Sequence, residues 1–151
     1  MHRRLPELEL LQERFSYCKE TGTLTVKRTG REVVSKNGRA VQVKVNYQGY
    51  LAHRIIWKLV TGEDPIGYEI DHINRNQLDN RWSNLRLATK QENGYNKKAN
   101  GIRKDKRTGK WVTSFQVDGV KRHGGVHDCP LMAHIAYIDL SRELRGEFSP
   151  V

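Results

Sequence analysis

The stretch from Tyr68 to Asn96 leaves this chain few ways to fold. It reads Tyr-Glu-Ile-Asp-His-Ile-Asn-Arg-Asn-Gln-Leu-Asp-Asn-Arg-Trp-Ser-Asn-Leu-Arg-Leu-Ala-Thr-Lys-Gln-Glu-Asn-Gly-Tyr-Asn. Polar residues crowd its middle, while Ile70 at one end and Leu85, Leu87 and Ala88 at the other offer short apolar anchors. That pattern calls for a strand, an ordered polar loop, a second strand and then a helix. Thr89 and Glu92 mark the helix start as a T-x-x-E capping box, the hydroxyl serving the Glu92 amide and the carboxylate returning to the Thr89 amide. Asn93 then falls in the first helical turn, facing back toward the loop.

The polar residues of this stretch also suit a reaction. Asp71 and His72 are adjacent, Asn84 follows the histidine by twelve residues and Asn93 lies nine further on. A hard cation fits between the Asp71 carboxylate and the Asn93 amide oxygen, since magnesium prefers oxygen ligands and keeps several waters. His72 beside it can take a proton from water, because an unperturbed imidazole titrates near neutral pH. A carboxylate, an amide, a neutral base and a metal make a phosphodiester-cleaving site. The helix N-terminus behind Asn93 adds partial positive charge. Asp71, Asn74, Asn76, Asp79, Asn80 and Asn84 also read as a turn-rich loop, because Asx side chains stabilise turns locally. A plain loop, however, has no need of Asp-His ahead of a capped helix bearing Asn. Arg81 and Arg86 are open to two readings, as phosphate ligands or as partners of Asp79 or Glu69.

The same residues resemble the HNH motif of ββα-metal nucleases, in the group found among phage and intron-encoded homing endonucleases. The resemblance implies that Asp71 and Asn93 hold a divalent cation, Mg2+ or Mn2+, and that His72 is the general base. Asn84 takes the place of the family's middle Asn, which braces the loop. The last motif position is His or Asn in the family, and it is Asn here.

Composition sets outer limits. At 151 residues the chain holds one ordinary domain or two small ones, and with 36% hydrophobic and 29% charged residues no large core is available. No apolar run approaches the roughly 20 residues of a membrane span, and the N-terminus lacks a signal-peptide apolar region. Cys18 and Cys129 fit no zinc spacing, so a reduced, cytoplasmic protein without structural zinc is expected. A net charge of +10 favours polyanions, with binding that weakens as salt rises.

Upstream of the motif, residues 5–15 read as a short helix with Pro6 near its start. A Glu20-Thr21-Gly22 turn leads into a strand at Leu24 and Val26, and Val41 to Val45 alternate as another strand. Residues 53–62 read as a helix ended by Gly62. This lead-in also resembles that of phage HNH proteins. His53 reads as packing or capping against the motif rather than as a second catalytic histidine, and Ile56 and Trp57 as core.

From Lys97 to Lys110 the composition turns basic and poor in apolar residues, which places a domain boundary at 97–100. Beyond it come three short strands and a helix. Arg103 lies on the first strand, Lys110 to Val117 form the second and Val120 to Val126 the third, with Asp118-Gly119 as a hairpin turn. Trp111, Thr113, Phe115 and Val117 share one face of the second strand, and a helix over Leu131–Arg145 covers it with Leu131, Ile135 and Ile138. The order Gly-Ile-Arg, Gly-Lys-Trp, Gly-Val-His, Ala-x-x-Ala-Tyr resembles the AP2 DNA-binding domain, a three-stranded sheet packed on one helix. The resemblance implies a sheet face in the major groove, carrying Arg103, Gln116, Lys121 and His123, with Lys104 and Arg107 as further DNA contacts. His123 stands where the family has a large DNA-facing aromatic.

The sequence thus predicts an α+β chain: an HNH nuclease domain over 1–96, a linker at 97–100 and an AP2-like domain over 101–151. The expected activity is metal-dependent cleavage of double-stranded DNA, with His72 and Asn84 as catalytic residues and Asp71 and Asn93 as metal ligands. Monomer and homodimer both remain open. The resemblance implies a phage-encoded homing enzyme working inside an infected bacterium. The competing readings are a DNA-binding protein without catalysis and an RNA-directed nuclease.

Overall fold

The computed structural model of the chain describes residues 3–96 and 101–149. The linker expected at 97–100 lies outside the described residues. The chain divides into two compact units, Met1–Asn93 and Gly94–Val151. Among the described residues, no helix is long and apolar enough to cross a membrane.

The first unit opens with α1 (Leu8–Arg14), β1 (Phe15–Tyr17), β2 (Leu24–Val26) and β3 (Arg31–Glu32), the strands forming an antiparallel sheet in the order β1-β2-β3. The helix begins three residues later than the sequence predicts, leaving Pro6 outside it. Leu5 is the cause: its side chain is buried, and its N–H donates to the Asp64 carboxylate at 2.6 Å, which holds this part of the chain away from helical geometry. A hairpin follows, β4 (Gln42–Val45) and β5 (Gln48–Leu51), whose alternation buries Val43 and Val45. α2 (Ala52–Thr61) ends at Gly62, a left-handed cap whose N–H returns to the Lys58 carbonyl. Ile55 and Ile56 on α2 are fully buried at the centre of a core that includes Leu11, Phe15, Leu24, Val45, Ile70 and Leu85. Next to them, Arg54 is almost wholly buried. It pairs with Asp64 at 3.1 Å and donates to the Pro65 and Tyr68 carbonyls, fixing the path into the following strand.

That strand, β6 (Glu69–His72), pairs antiparallel with β7 (Leu85–Ala88), and α3 (Lys90–Tyr95) follows. Strand, polar loop, strand and helix are all present. The capping box forms in both directions: Glu92 N–H donates to Thr89 Oγ1 at 3.2 Å, and Thr89 N–H donates to Glu92 Oε2 at 2.7 Å.

The second unit contains β8 (Ile102–Lys104), β9 (Trp111–Val117), β10 (Val120–His127) and α4 (Pro130–Arg145), with the sheet in the order β10-β9-β8 and antiparallel throughout. Asp118 and Gly119 both take positive φ, at 54° and 78°, as a tight two-residue hairpin requires. α4 packs on the sheet through a different set of residues from the one expected. Ala133, Tyr137 and Ser141 are buried, while Leu131 and Ile135 are exposed. The reason is close approach: a Cβ on Gly101 would fall 2.5 Å from the Tyr137 ring, and one on Gly124 would fall 2.7 Å from Thr113. With no side chains at those points, the sheet accepts Tyr137 against Phe115 at 5.2 Å and the Thr113 hydroxyl donates to the Ala133 carbonyl. Branched side chains on that helix face would hold the layers apart.

Candidate active site

Antiparallel register builds the site. Asp71 lies opposite Arg86 and Glu69 opposite Ala88, so these four residues share one face of the β6–β7 ladder. Asp71 is buried, and its Oδ2 accepts from Arg86 Nε and Nη2, both at 2.8 Å. The sequence left Arg86 to a phosphate or to Glu69, but the cross-strand position assigns it to Asp71 instead. Glu69 takes a different partner, accepting a short hydrogen bond from the Asn93 amide nitrogen. That bond fixes which way the amide faces. α3 is set by the Thr89 cap, so Asn93 comes back toward the face that carries Asp71.

His72 turns to the other side of β6, as alternation demands. Its ring is buried, and Nε2 lies 3.0 Å from Asn80 Oδ1. An amide oxygen only accepts, so Nε2 is the donor in this pair. The His53 ring packs edge-on against it, with centroids 5.0 Å apart at 89°. His53 therefore packs against the motif, in keeping with its position at the start of α2.

Between the strands the loop is braced from within. Asn84 Nδ2 donates to the Asp79 carbonyl at 2.7 Å and to Asn74 Oδ1 at 3.0 Å, while its own Oδ1 accepts from Asn74 N–H at 2.9 Å. Asn74 and Asn76 each cap a backbone N–H two residues on. Arg81 pairs with Asp79 at 2.6 Å, and this hydrogen bond, more than any other cause, brings the Asp79 carboxyl down to about 2.

The sequence reading missed Asn80 among the site residues. It is buried, and its carbonyl accepts from Tyr17 Oη at 2.7 Å. Burial first, and then the neighbouring Cys18, Glu20 and Asp79, raise the Tyr17 hydroxyl to about 12, so it stays a donor. Asx residues at turns are so common that nothing in the sequence distinguished Asn80 from its neighbours.

Hard oxygen donors from Asp71 and Asn93 suit a divalent ion such as Mg2+ or Mn2+. The Arg86 guanidinium shows that Asp71 already holds positive charge at this spot. Among the described residues, no group of three or more His, Cys, Asp and Glu side chains is gathered as a metal cage. A site with one carboxylate and one amide leaves the remaining positions to water and substrate.

In the second unit, Lys121 pairs with Gln116, His123 with Ser114, and Arg103 with Val112. Arg103, Gln116, Lys121 and His123 therefore share one face of the sheet, the one opposite α4. Lys104 pairs with Trp111 and belongs to the other face. Arg107 lies in the β8–β9 turn, where its N–H donates to Asp105.

Comparison with known proteins agrees with the first unit's geometry. A family model described as HNH endonuclease matches residues 50–95. The chain is 31% identical over 112 residues to Protein 3.8 of Escherichia phage T7, covering 68% of this chain and 91% of that one. It is 36% identical over 103 residues to an uncharacterized HNH endonuclease, L560, of Acanthamoeba polyphaga mimivirus, covering 64% of this chain and 54% of the relative. No solved structure matches.

Proposed function

The chain belongs to the HNH endonuclease family, whose members cleave phosphodiester bonds in DNA and generally depend on divalent metal, and we propose that it hydrolyses DNA with His72 as general base and Asp71 and Asn93 as metal ligands. The observation that carries this reading is the end of β6. There Asp71, with its cationic partner, and His72, with Nε2 against Asn80, stand side by side as a carboxylate and an imidazole on adjacent strand positions. During in-line displacement the entering and leaving oxygens lie on opposite sides of phosphorus, so a base and a cation act on different oxygens of one phosphate. His72 Nδ1 takes the proton from the attacking water. Asp71 and Asn93 direct oxygen donors to the opposite side, where negative charge grows. Asp71 and Asn93 would hold a divalent ion there, which would supply positive charge where the reaction builds up negative charge. Asn84 holds the loop between the two strands and touches neither reactant.

The second unit serves in this reading as an AP2-like module that seats the nuclease on duplex DNA, with Arg103, Gln116, Lys121 and His123 toward the groove. A chain charge of +10 supports a polyanionic partner. One base and one cation site make one cut, so a monomer nicks and a dimer breaks both strands. Relatives in a phage and a mimivirus support a virus-encoded enzyme; the homing role follows from the resemblance of the motif alone.

The test is conversion of supercoiled plasmid to open circle with Mg2+ or Mn2+, wild type beside His72→Ala. The expected result is metal-dependent nicking that disappears in the variant. Equal nicking by both proteins overturns the assignment of the base.

A further inference from the structure

We propose that Asn80 is a positioning residue for His72, held in place by the β1–β2 hairpin; the inference rests on His72 being the base. The Asn80 side chain meets the imidazole 3.0 Å from Nε2, at a site shielded from water, and so favours a proton on that nitrogen. Without that acceptor the ring is able to carry its proton on either nitrogen and to turn about its Cβ bond. The basic nitrogen then faces the wrong way for part of the time.

Asn80 owes its own position to a part of the chain remote in sequence. Tyr17 at the end of β1 donates its hydroxyl to the Asn80 carbonyl at 2.7 Å. One residue on, at Cys18, the hairpin turn begins, and Trp82 N–H donates to the Lys19 carbonyl at 3.0 Å. At the turn's far end, Gly22 has φ +77°, and a Cβ there would lie 2.6 Å from the Asn80 carbonyl carbon and 2.4 Å from Arg81 N. The turn thus lies directly against the backbone of residues 80–82. On the other side of this segment, the Trp82 ring meets Trp57 of α2 at 5.0 Å. The lead-in hairpin, which supplies no group to the chemistry, becomes the wall against which the base is aligned. His53 bounds the same ring edge-on from α2, so the imidazole lies between Asn80 and that helix.

The experiment uses the full chain and compares Asn80→Ala, Asn80→Asp, Tyr17→Phe and His72→Ala. Two readouts are combined: steady-state nicking, and the tautomer of His72 read from imidazole nitrogen shifts in 15N-histidine-labelled protein at alkaline pH. Asn80→Ala is expected to mix the tautomers and to lower kcat by about 100-fold, the cost of misplacing a catalytic group by an ångström, with KM for DNA unchanged. Asn80→Asp keeps an oxygen acceptor and should restore the Nε2–H form and much of kcat. Tyr17→Phe leaves the His72 contact in place and should lower kcat in the same direction by less. A single tautomer and full kcat in Asn80→Ala overturn the proposal. So does a mixed tautomer with full kcat. Nicking abolished by His72→Ala but kept by Asn80→Ala sinks this inference alone, whereas nicking kept by His72→Ala sinks the base assignment and this inference with it.

Discussion

Asp71 and Arg86 face each other across the β6–β7 ladder, with two nitrogens of one guanidinium on one carboxylate oxygen at 2.8 Å. Their side chains are only 5% and 13% exposed, so neither charge is screened by bulk water. Because this carboxylate is the proposed cation ligand, Arg86 is its resident counter-ion.

Replacing Arg86 by Gln removes the guanidinium charge from beside the buried carboxylate. The expected cost is about 3 kcal/mol, the lower end of what breaking a buried pair costs. A divalent ion that binds the folded state alone recovers part of it by mass action. Thermal unfolding of both proteins with and without Mn2+ checks this: the variant should melt lower and gain more from Mn2+ than wild type. Equal gains would mean that Arg86 does not compete for Asp71.

Asn84 satisfies three partners at once, so its loss is felt through the groups left behind. Asn84→Ala strips the acceptor from Asn74 N–H and the donor from the Asp79 carbonyl. Leaving such groups unpaired in a part-buried loop costs about 2–4 kcal/mol in all. The denaturant midpoint should fall while the slope of the transition stays the same. A midpoint within error of wild type would remove Asn84 from its place as the brace.

Much of this was legible beforehand, and what was missed has physical causes. The capping box, the left-handed Gly62 and the Asp118-Gly119 hairpin depend on local chemistry, and each appears where the residues place it. The partner of Arg86 depends on register, and spacing along the chain does not fix register between two strands. Asn80 depends on a hairpin some sixty residues away in sequence, as its bond to Tyr17 shows. The buried side of α4 was misread because hydrophobicity favoured Leu131 and Ile135. The sheet at that point has two glycines where a small or flat side chain fits.

Acid should loosen the polar loop through Asp79. Its carboxyl ordinarily titrates near 3.8 and is lowered to about 2 in the fold, chiefly by the Arg81 hydrogen bond. A depressed folded value means that the ionised group stabilises the fold above about 3.8, and that this contribution is lost as pH falls toward 2. Asp79→Asn removes that titration, so stability of the variant should fall less steeply than wild type over this window. Urea unfolding at a series of acidic pH values reads the difference. Parallel curves would show that the ion pair contributes nothing to the folded state.

The register of the second unit makes a prediction about which face meets DNA. Arg103 and Lys121 lie on the face away from α4, and Lys104 alternates to the other side. Each phosphate contact removed should lower the slope of log affinity against log salt by about 0.9. Arg103→Ala and Lys121→Ala should each do so for duplex DNA. Gln116→Ala, lacking a charge, should leave the slope alone and change sequence preference, as expected of a side chain at a base edge. Lys104→Ala should change neither. Fluorescence anisotropy in EDTA across a salt series separates these cases without any cutting. A loss of slope in Lys104→Ala with none in Arg103→Ala and Lys121→Ala would place the DNA on the wrong side of the sheet for this reading.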